Sequence, residues 1–554
     1  MLQPLLAIHN GSSSGHGSAD VSSSDIQSAP NHIINRVGTS ATIENGPEIS
    51  TEDAWDQQNL LSLDGGGIRG YWSLLVLEKL MENVAYQETK QGSGETEPAK
   101  ECGSFAPHAF PEGATHEKLT KDELESENAH NGDSVPASHF RGSRKFLPCH
   151  YFDYICGTST GSLIAIMLGR FRMSVLDCLG EYERMGNRVF GKPRPLSRRD
   201  IVGGQWCRYS TEDMKSVLKD VIARRSERAQ RINDTQLPSN PTMCKVFVTS
   251  LRNDKNNQSE LKPYLFRSYD HERKQELPLH PNGRVTTDQP PMSSNRKNYG
   301  QADTLKIWQV AMAAIAAPSY FKPVKISRST IEKKIDTYFS DGGFSHRSNP
   351  TDEGIKEIEE LHSKANVGLV VSVGSSKGTG KPTRIFAKRQ IRRAFEESTD
   401  TEKVHDEVAK SMPKNYWRLN DSVSGMHVEF DEWEPRGRTH GKEPGEETLK
   451  TIKNHFNKWA NDGNNERYLR SCAKALVERR KARAKDASKW EAYATGAVFL
   501  CTFSACPNTK YASKYELENH LRSDHFVDDD EDITRYVKSM TRRWQYQTRP
   551  RNDG

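Results

Sequence analysis

Apolar positions along this chain come in short runs broken by glycine turns and polar stretches, and the runs switch between two periods. Asn59–Leu63 is a brief apolar run that ends at a cluster of glycines, and it predicts a strand. In Trp72–Val84, residues Leu74, Leu77, Leu80, Met81 and Val84 recur at helical spacing, which predicts an amphipathic helix after the glycine turn. Phe146–Cys156 predicts a second strand, and Ser162–Phe171 is apolar on nearly every face, as a buried helix is. Strand patterns recur at Lys245–Leu251, Tyr264–Tyr269 and Val367–Gly374, the last two flanking a predicted helix at Thr304–Pro318. Strands alternating with helices predict an α/β layered fold with a mainly parallel central sheet.

The polar stretches divide the chain. Residues 1–57 are rich in Ser, Gly, Asn and Asp and are expected to be disordered. An α/β domain is expected over 58–376, with a polar, acidic inserted loop at about 87–144. Basic helical patterns such as ERYLRSCAKALVERRKARAK then predict a helical extension over 377–497 rather than more sheet. A small Cys/His module at 498–527 and an acidic, then basic tail at 528–554 complete the scheme.

Composition narrows the function classes. The chain has 554 residues with a net charge of +5 and a pI near 8.5. That mild excess does not demand a nucleic-acid partner and suits an anionic lipid surface. Nine scattered cysteines, an odd number, suit a reducing compartment. The N-terminal MLQPLLAIHN lacks the basic start and apolar length of a signal peptide, and no run of about twenty apolar residues occurs. The expectation is a cytoplasmic protein that meets membranes peripherally.

Three short motifs carry the chemistry. GTSTG at Gly157–Gly161 has G-x-S-x-G spacing between a predicted strand and a buried helix. Glycines there let a nucleophile, Ser159, occupy a sharp strand-to-helix turn at a helix N-terminus. DGGGIRG at Asp64–Gly70 also follows a strand and opens a helix. It contains G-x-G-x-x-G, the weak signature of a dinucleotide site, but adjacent Gly65, Gly66 and Gly67 better suit amides turned toward an oxyanion. Arg69 either stiffens this loop, adds positive charge near an oxyanion, or is a surface arginine. DGG at Asp341–Gly343 is by default a turn, and it gains meaning because a serine nucleophile requires a base. Asp64 is the rival carboxylate, better placed to brace the loop, while His150 and His346 leave a histidine triad open.

LSLDGGGIRG, GTSTG, AAIAAPSYFKPV (Ala313–Val324) and DGGFSHRSNP (Asp341–Pro350) together resemble the patatin-like phospholipase family, in order, over roughly Leu60–Val373. The resemblance implies a three-layer α/β fold and a Ser–Asp dyad that cleaves acyl esters of lipids without a catalytic cofactor. On matching positions, Ser159 is the nucleophile, Asp341 the general base, Gly157 and Gly161 the elbow glycines, and Gly65, Gly66 and Gly67 the oxyanion hole, with Arg69 nearby. The implied substrate is a phospholipid or other acyl lipid. The acidic insert departs from a compact version of this domain.

Cys501-x4-Cys506-x13-His520-x4-His525 has the ligand order of a C2H2 zinc finger, with a centre one residue longer than usual and Tyr511 and Leu517 at its small-core positions. Two thiolates and two imidazoles predict a structural zinc and a ββα unit. Its base-reading positions would be Ser513, Glu516 and Asn519, without arginine, and the acidic run Asp528–Asp532 follows. This favours a protein partner or a structural cap over nucleic acid. A scaffold or regulatory protein recruited through this finger, or a nucleic-acid-associated protein, is the alternative to an enzyme. GSSKGTGKP (Gly374–Pro382) is not a P-loop, because Pro382 stands where a magnesium-binding hydroxyl belongs. The basic stretches at Gln390–Phe395 and Glu478–Lys485 read as solvated helix faces, with anionic membrane as their other reading.

Overall fold

The computed structural model describes residues 50–90, 104, 146–194, 207–225, 235–254, 261–271, 298–329, 334–344, 348–363, 366–376, 401–437, 441–506, 509–511 and 514–542. The expectations for 1–49, most of the insert, His346, Gln390–Phe395 and the far end of the tail lie outside these residues.

The chain enters through helix α1 (Thr51–Asp56), so order starts before the residue 58 expected from composition. Ser50 caps it by accepting from the Asp53 amide. Strand β1 (Gln58–Leu63) follows, then the glycine turn and helix α2 (Gly70–Lys90). Strand β2 (Tyr154–Gly157) leads into helix α3 (Thr160–Ala165), which widens into π-type turns over Ile166–Arg170. Helices α4 (Val175–Met185) and α5 (Thr211–Arg225) precede strands β3 (Lys245–Asp254) and β4 (Lys262–Arg267). Helix α6 (Ile307–Ala314), the antiparallel strands β5 (Val324–Ser329) and β6 (Lys334–Asp341), helix α7 (Thr351–Leu361) and strand β7 (Val367–Val373) come next.

The eight-stranded sheet has the order β5-β6-β3-β2-β1-β7-β8, with β4 also paired to β3. Its centre is parallel, and β4, β5 and β6 run antiparallel. The α/β fold with a mainly parallel sheet is therefore as expected. Central strands buried on both faces explain the uninterrupted apolar runs. One large core packs Trp72, Leu77 and Leu80 of α2 and Leu163 and Ile164 of α3 against one face. A smaller cluster with Leu60, Tyr154 and Ile358 lies with α7.

The region expected as a helical extension differs in one respect. After helix α8 (Thr401–Ser411), strand β8 (Tyr416–Leu419) pairs parallel with β7 and completes the sheet. At four residues, YWRL is too short for its period to stand out among basic helices. Helices α9 (Glu446–Ala460), α10 (Gly463–Ala484) and α11 (Ala487–Thr495) then pack back on the α/β body. Part of the run ERRKARAK is not a solvated face. Arg480 pairs with Glu88 at 2.6 Å and Arg483 with Asp153 at 2.7 Å, all four side chains buried. These pairs look basic and surface-like in sequence because their acidic partners lie hundreds of positions away.

Strands β9 (Val498–Cys501) and β10 (Thr509–Tyr511) form a hairpin followed by helix α12 (Lys514–His525). The acidic run opens helix α13 (Asp530–Met540), and strand β11 (Thr541–Arg542) returns to β9. Ile533, Val537 and Met540 join Phe499, Leu517 and Leu521 in one cluster, so part of the expected tail belongs to this module.

Candidate active site

Ser159 sits between the end of β2 and the start of α3. Its backbone is at φ 52°, ψ −127°, a region that side chains rarely occupy. Glycines at both sides are dictated by contact. A Cβ on Gly157 would lie 2.2 Å from the Gly161 carbonyl oxygen, and one on Gly161 would lie 2.5 Å from that of Leu63. The turn is thus pressed against the end of β1, where the glycine loop begins. A Cβ on Gly65 would come within 3.1 Å of the Ser159 Cβ.

Asp341 ends β6 and is fully buried. The Ser159 hydroxyl donates to its Oδ2 at 2.6 Å, and the Gly343 amide donates to Oδ1 at 2.8 Å. The aspartate's own amide donates to the Ala316 carbonyl at 3.1 Å, just after α6. Burial pushes the Asp341 carboxyl up to about 6, against the hydrogen bonds from Ser159 and Gly343. This is the range in which a carboxylate can serve as a general base near neutral pH.

The glycine loop has two kinds of amide. Gly65 N–H donates to the Ser348 carbonyl at 3.0 Å and Ile68 N–H to the Phe430 carbonyl at 2.7 Å. The amides of Gly66 and Gly67 meet no acceptor among the described residues. Gly67 has φ 59°, and a Cβ there would lie 2.1 Å from the Phe430 carbonyl oxygen, so only glycine fits. Arg69 is buried, with its guanidinium 4.1 Å from the centre of the Phe430 ring. It braces the loop from the segment that follows β8, a reading closer to stiffening than to a surface arginine.

The other candidates lie elsewhere. Asp64 is held by Arg418 of β8 through two bonds of 3.1 and 2.7 Å, and Arg418 also donates to Glu402 of α8 at 2.8 Å. Burial pushes the Asp64 carboxyl up to about 6 against the pull of Arg418, which leaves it ionised at neutral pH. His150 precedes β2, at the opposite end of that strand from Ser159. Its Nδ1 lies 2.6 Å from Ser104 Oγ, and its Nε2 lies 2.8 Å from Arg172 Nη2 and 3.1 Å from the Ala494 carbonyl oxygen. It shares no hydrogen bond with the Ser159–Asp341 pair. Sequence reasoning missed Arg418, Ser348 and Phe430. Their contacts span long separations; Ser348 lies within the DGGFSHRSNP motif but nothing local marks its carbonyl as the partner of Gly65, and no local pattern marks Arg418 or Phe430.

Cys501, Cys506, His520 and His525 bring their donor atoms within 4.8 Å of one another. Cys501 Sγ lies 3.3 Å from His525 Nε2, and the two histidine Nε2 atoms lie 3.1 Å apart. These separations suit ligands about 2.0–2.3 Å from one tetrahedral zinc. Asp524 Oδ2 lies 2.6 Å from His520 Nδ1, the outer carboxylate that commonly fixes a ligating imidazole. Tyr511 stacks on His520 and Leu517 is buried, so the expected core positions are filled.

Residues 144–355 match the family model described as patatin-like phospholipase. The human calcium-independent phospholipase A2-gamma is 28% identical over 296 residues, covering 51% of this chain and 32% of the relative. Phospholipase A I of Arabidopsis thaliana is 25% identical over 338 residues, covering 53% and 24%. Patatin-like phospholipase 1 of Plasmodium falciparum is 24% identical over 348 residues, covering 61% and 38%. The chain spans about a third of the length of the calcium-independent phospholipase A2-gamma proteins that it matches. Residues 144–355, the segment similar to the patatin-like phospholipase model, hold both the strand-elbow-helix at Ser159 and the buried Asp341 beside it.

Proposed function

We propose that this protein is a lipid acyl hydrolase that cleaves fatty-acyl esters of phospholipids through an acyl-serine intermediate. The observation that carries the reading is the 2.6 Å hydrogen bond from the Ser159 hydroxyl to a buried carboxylate, with no imidazole between them. Asp341 accepts the hydroxyl proton as the Ser159 oxygen attacks the ester carbonyl. The amides of Gly66 and Gly67 receive the negative charge that develops on the carbonyl oxygen, aided by the N-terminus of α3. Asp341 returns the proton to the departing alkoxide. It then draws a proton from water, which attacks the acyl-serine; the Ser159 oxygen leaves, takes that proton back from Asp341, and fatty acid is released. No step asks for a metal.

The Cys501, Cys506, His520 and His525 set is proposed to hold a structural zinc. Two thiolates and two imidazoles close the coordination shell and leave no open position for substrate. Glu516 and Tyr515 are exposed on α12, an acidic and aromatic face that suits a protein partner better than phosphate. No described helix is long and apolar enough to cross a membrane. The reading is a protein that reaches lipid by peripheral contact from the cytoplasm.

Fatty-acid release from phospholipid vesicles in excess EDTA tests the hydrolase. Wild type should release fatty acid, and Ser159→Ala and Asp341→Asn should each lower release by at least about a hundredfold. Full activity in Asp341→Asn would remove the dyad from the mechanism.

A further inference from the structure

A cleft of about 420 Å³ opens between α5, α6 and the start of β5. Its walls include Trp308 and Met312 of α6, with Arg194, Lys215, Lys322 and Lys325 around them. Glu212, the one carboxylate in the lining, pairs with Lys215 at 3.3 Å, and Asp336 pairs with Lys325 at 2.8 Å, which leaves the lining with a net positive charge. Two ammonium groups converge on one indole. Lys215 Nζ lies 5.1 Å and Lys219 Nζ 5.5 Å from the Trp308 ring. Like charges drawn to one ring raise the local positive potential, and a bound anion would lower it.

Two walls of the cleft lead along the chain toward the Ser159–Asp341 pair. Val324, in the lining, pairs with Phe339 of β6, two residues before Asp341. Two strand residues span about 7 Å. On the other side, α6 leads to Ala316, whose carbonyl accepts the Asp341 amide. Trp308 also lines an apolar crevice with Leu163, Ile166 and Met167, on the helix that starts at Ser159. The cationic cleft and the narrow apolar crevice share Trp308, and the crevice borders the helix that follows Ser159, an order that suits a headgroup outside and acyl carbons within.

We infer that this cleft is a headgroup site that selects phospholipids with anionic headgroups over zwitterionic ones. The inference rests on the lipid hydrolase reading and names its substrate class. Lysine and arginine side chains attract a phosphate and a second headgroup anion alike, whereas a choline cation would meet like charge.

The test measures binding and hydrolysis separately. Binding uses full-length protein carrying Ser159→Ala, with vesicles of phosphatidylcholine alone or doped with phosphatidylglycerol. The doubles Lys215→Gln/Lys322→Gln and Arg194→Gln/Lys325→Gln, all in the cleft lining, are compared with Arg470→Gln/Lys474→Gln, which removes the same charge from exposed positions on α10. Each lysine or arginine near an anionic surface contributes about fivefold in affinity, so each cleft double should lose on the order of tenfold or more for doped vesicles. The control double and binding to phosphatidylcholine alone should change little. In the Ser159-intact protein, the preference for phosphatidylglycerol hydrolysis should fall with the same doubles. Equal losses in the control would reduce the effect to net charge and overturn the site, as would unchanged preference in both cleft doubles. If wild type hydrolyses both lipids without preference, the site fails and the hydrolase stands. If nothing is hydrolysed but the cleft doubles lose anionic binding, the hydrolase reading fails and the site stands.

Discussion

At Ser159 the backbone adopts a strained conformation that neighbouring glycines make sterically feasible, and the result is a hydroxyl aimed at Asp341. Its pairing with a carboxylate alone sets the pH behaviour. Burial raises Asp341 to about 6, so the base form appears as pH rises through that value. Turnover on a neutral-ester substrate should therefore rise across pH 5–7 with an inflection near 6. A profile flat from pH 5 to 8 would show that another group sets the base. The same shift has a stability consequence of opposite sign. A carboxyl whose folded pKa exceeds its unfolded value of 3.8 contributes stability that is full below 3.8 and lost as pH rises through about 6. Above that, ionised Asp341 opposes folding by about 3 kcal/mol relative to a neutral side chain. Asp341→Asn should then abolish hydrolysis while its Tm at pH 7.5 equals or exceeds that of wild type. A lower Tm would mean that the charge itself holds the fold.

The turn at Gly157, Ser159 and Gly161 was legible because a sharp strand-to-helix turn leaves a local mark: small residues at fixed offsets between two apolar runs. Asp341 was legible only by its motif, since Asp-Gly-Gly is ordinarily a turn. The division of the glycine loop was not legible. All three glycines look alike in sequence, and the Ser348 carbonyl that takes the Gly65 amide lies far along the chain.

Among the elements, β8 is the one that composition concealed. A four-residue strand inside basic helical sequence has too few positions for its alternation to register. Yet it carries Arg418, which grips Asp64 beneath the glycine loop and reaches Glu402 of α8. Removing one partner of a buried pair leaves an uncompensated charge. Arg418→Met should destabilise by about 3–5 kcal/mol, read as a lower urea midpoint. Arg418→Met/Asp64→Asn, which removes both charges, should recover much of that loss. Additive losses in the double would show that the two do not act as a pair. Arg480–Glu88 and Arg483–Asp153 follow the same logic and tie α10 to α2 and to the loop before β2. Those pairs were read as surface charge because sequence shows basic residues but not the distant carboxylates that neutralise them.

Across the whole molecule, the helices beyond 376 are part of the α/β body, while the Cys/His module has a core of its own around Phe499, Leu517 and Val537. The module's Cys/His spacing was plain in sequence. Its boundary was not, because an acidic run reads as a tail until Ile533, Val537 and Met540 are seen at helical spacing on one buried face. If zinc holds this module, a strong chelator should make residues 498–542 sensitive to protease while the 58–376 region stays resistant. Cys501→Ser should do the same without chelator. Unchanged protection under both treatments would rule out a structural metal there.

The central claim is that Ser159 forms a covalent acyl intermediate. A fluorophosphonate carrying a lipid chain, incubated with the full chain and followed by peptide mass spectrometry, tests it most directly. The account predicts a single adduct on Ser159, formed at a rate that falls with Asp341→Asn and abolished by Ser159→Ala. An adduct on any other serine, or fatty-acid release by a protein whose Ser159 stays unmodified, would contradict it.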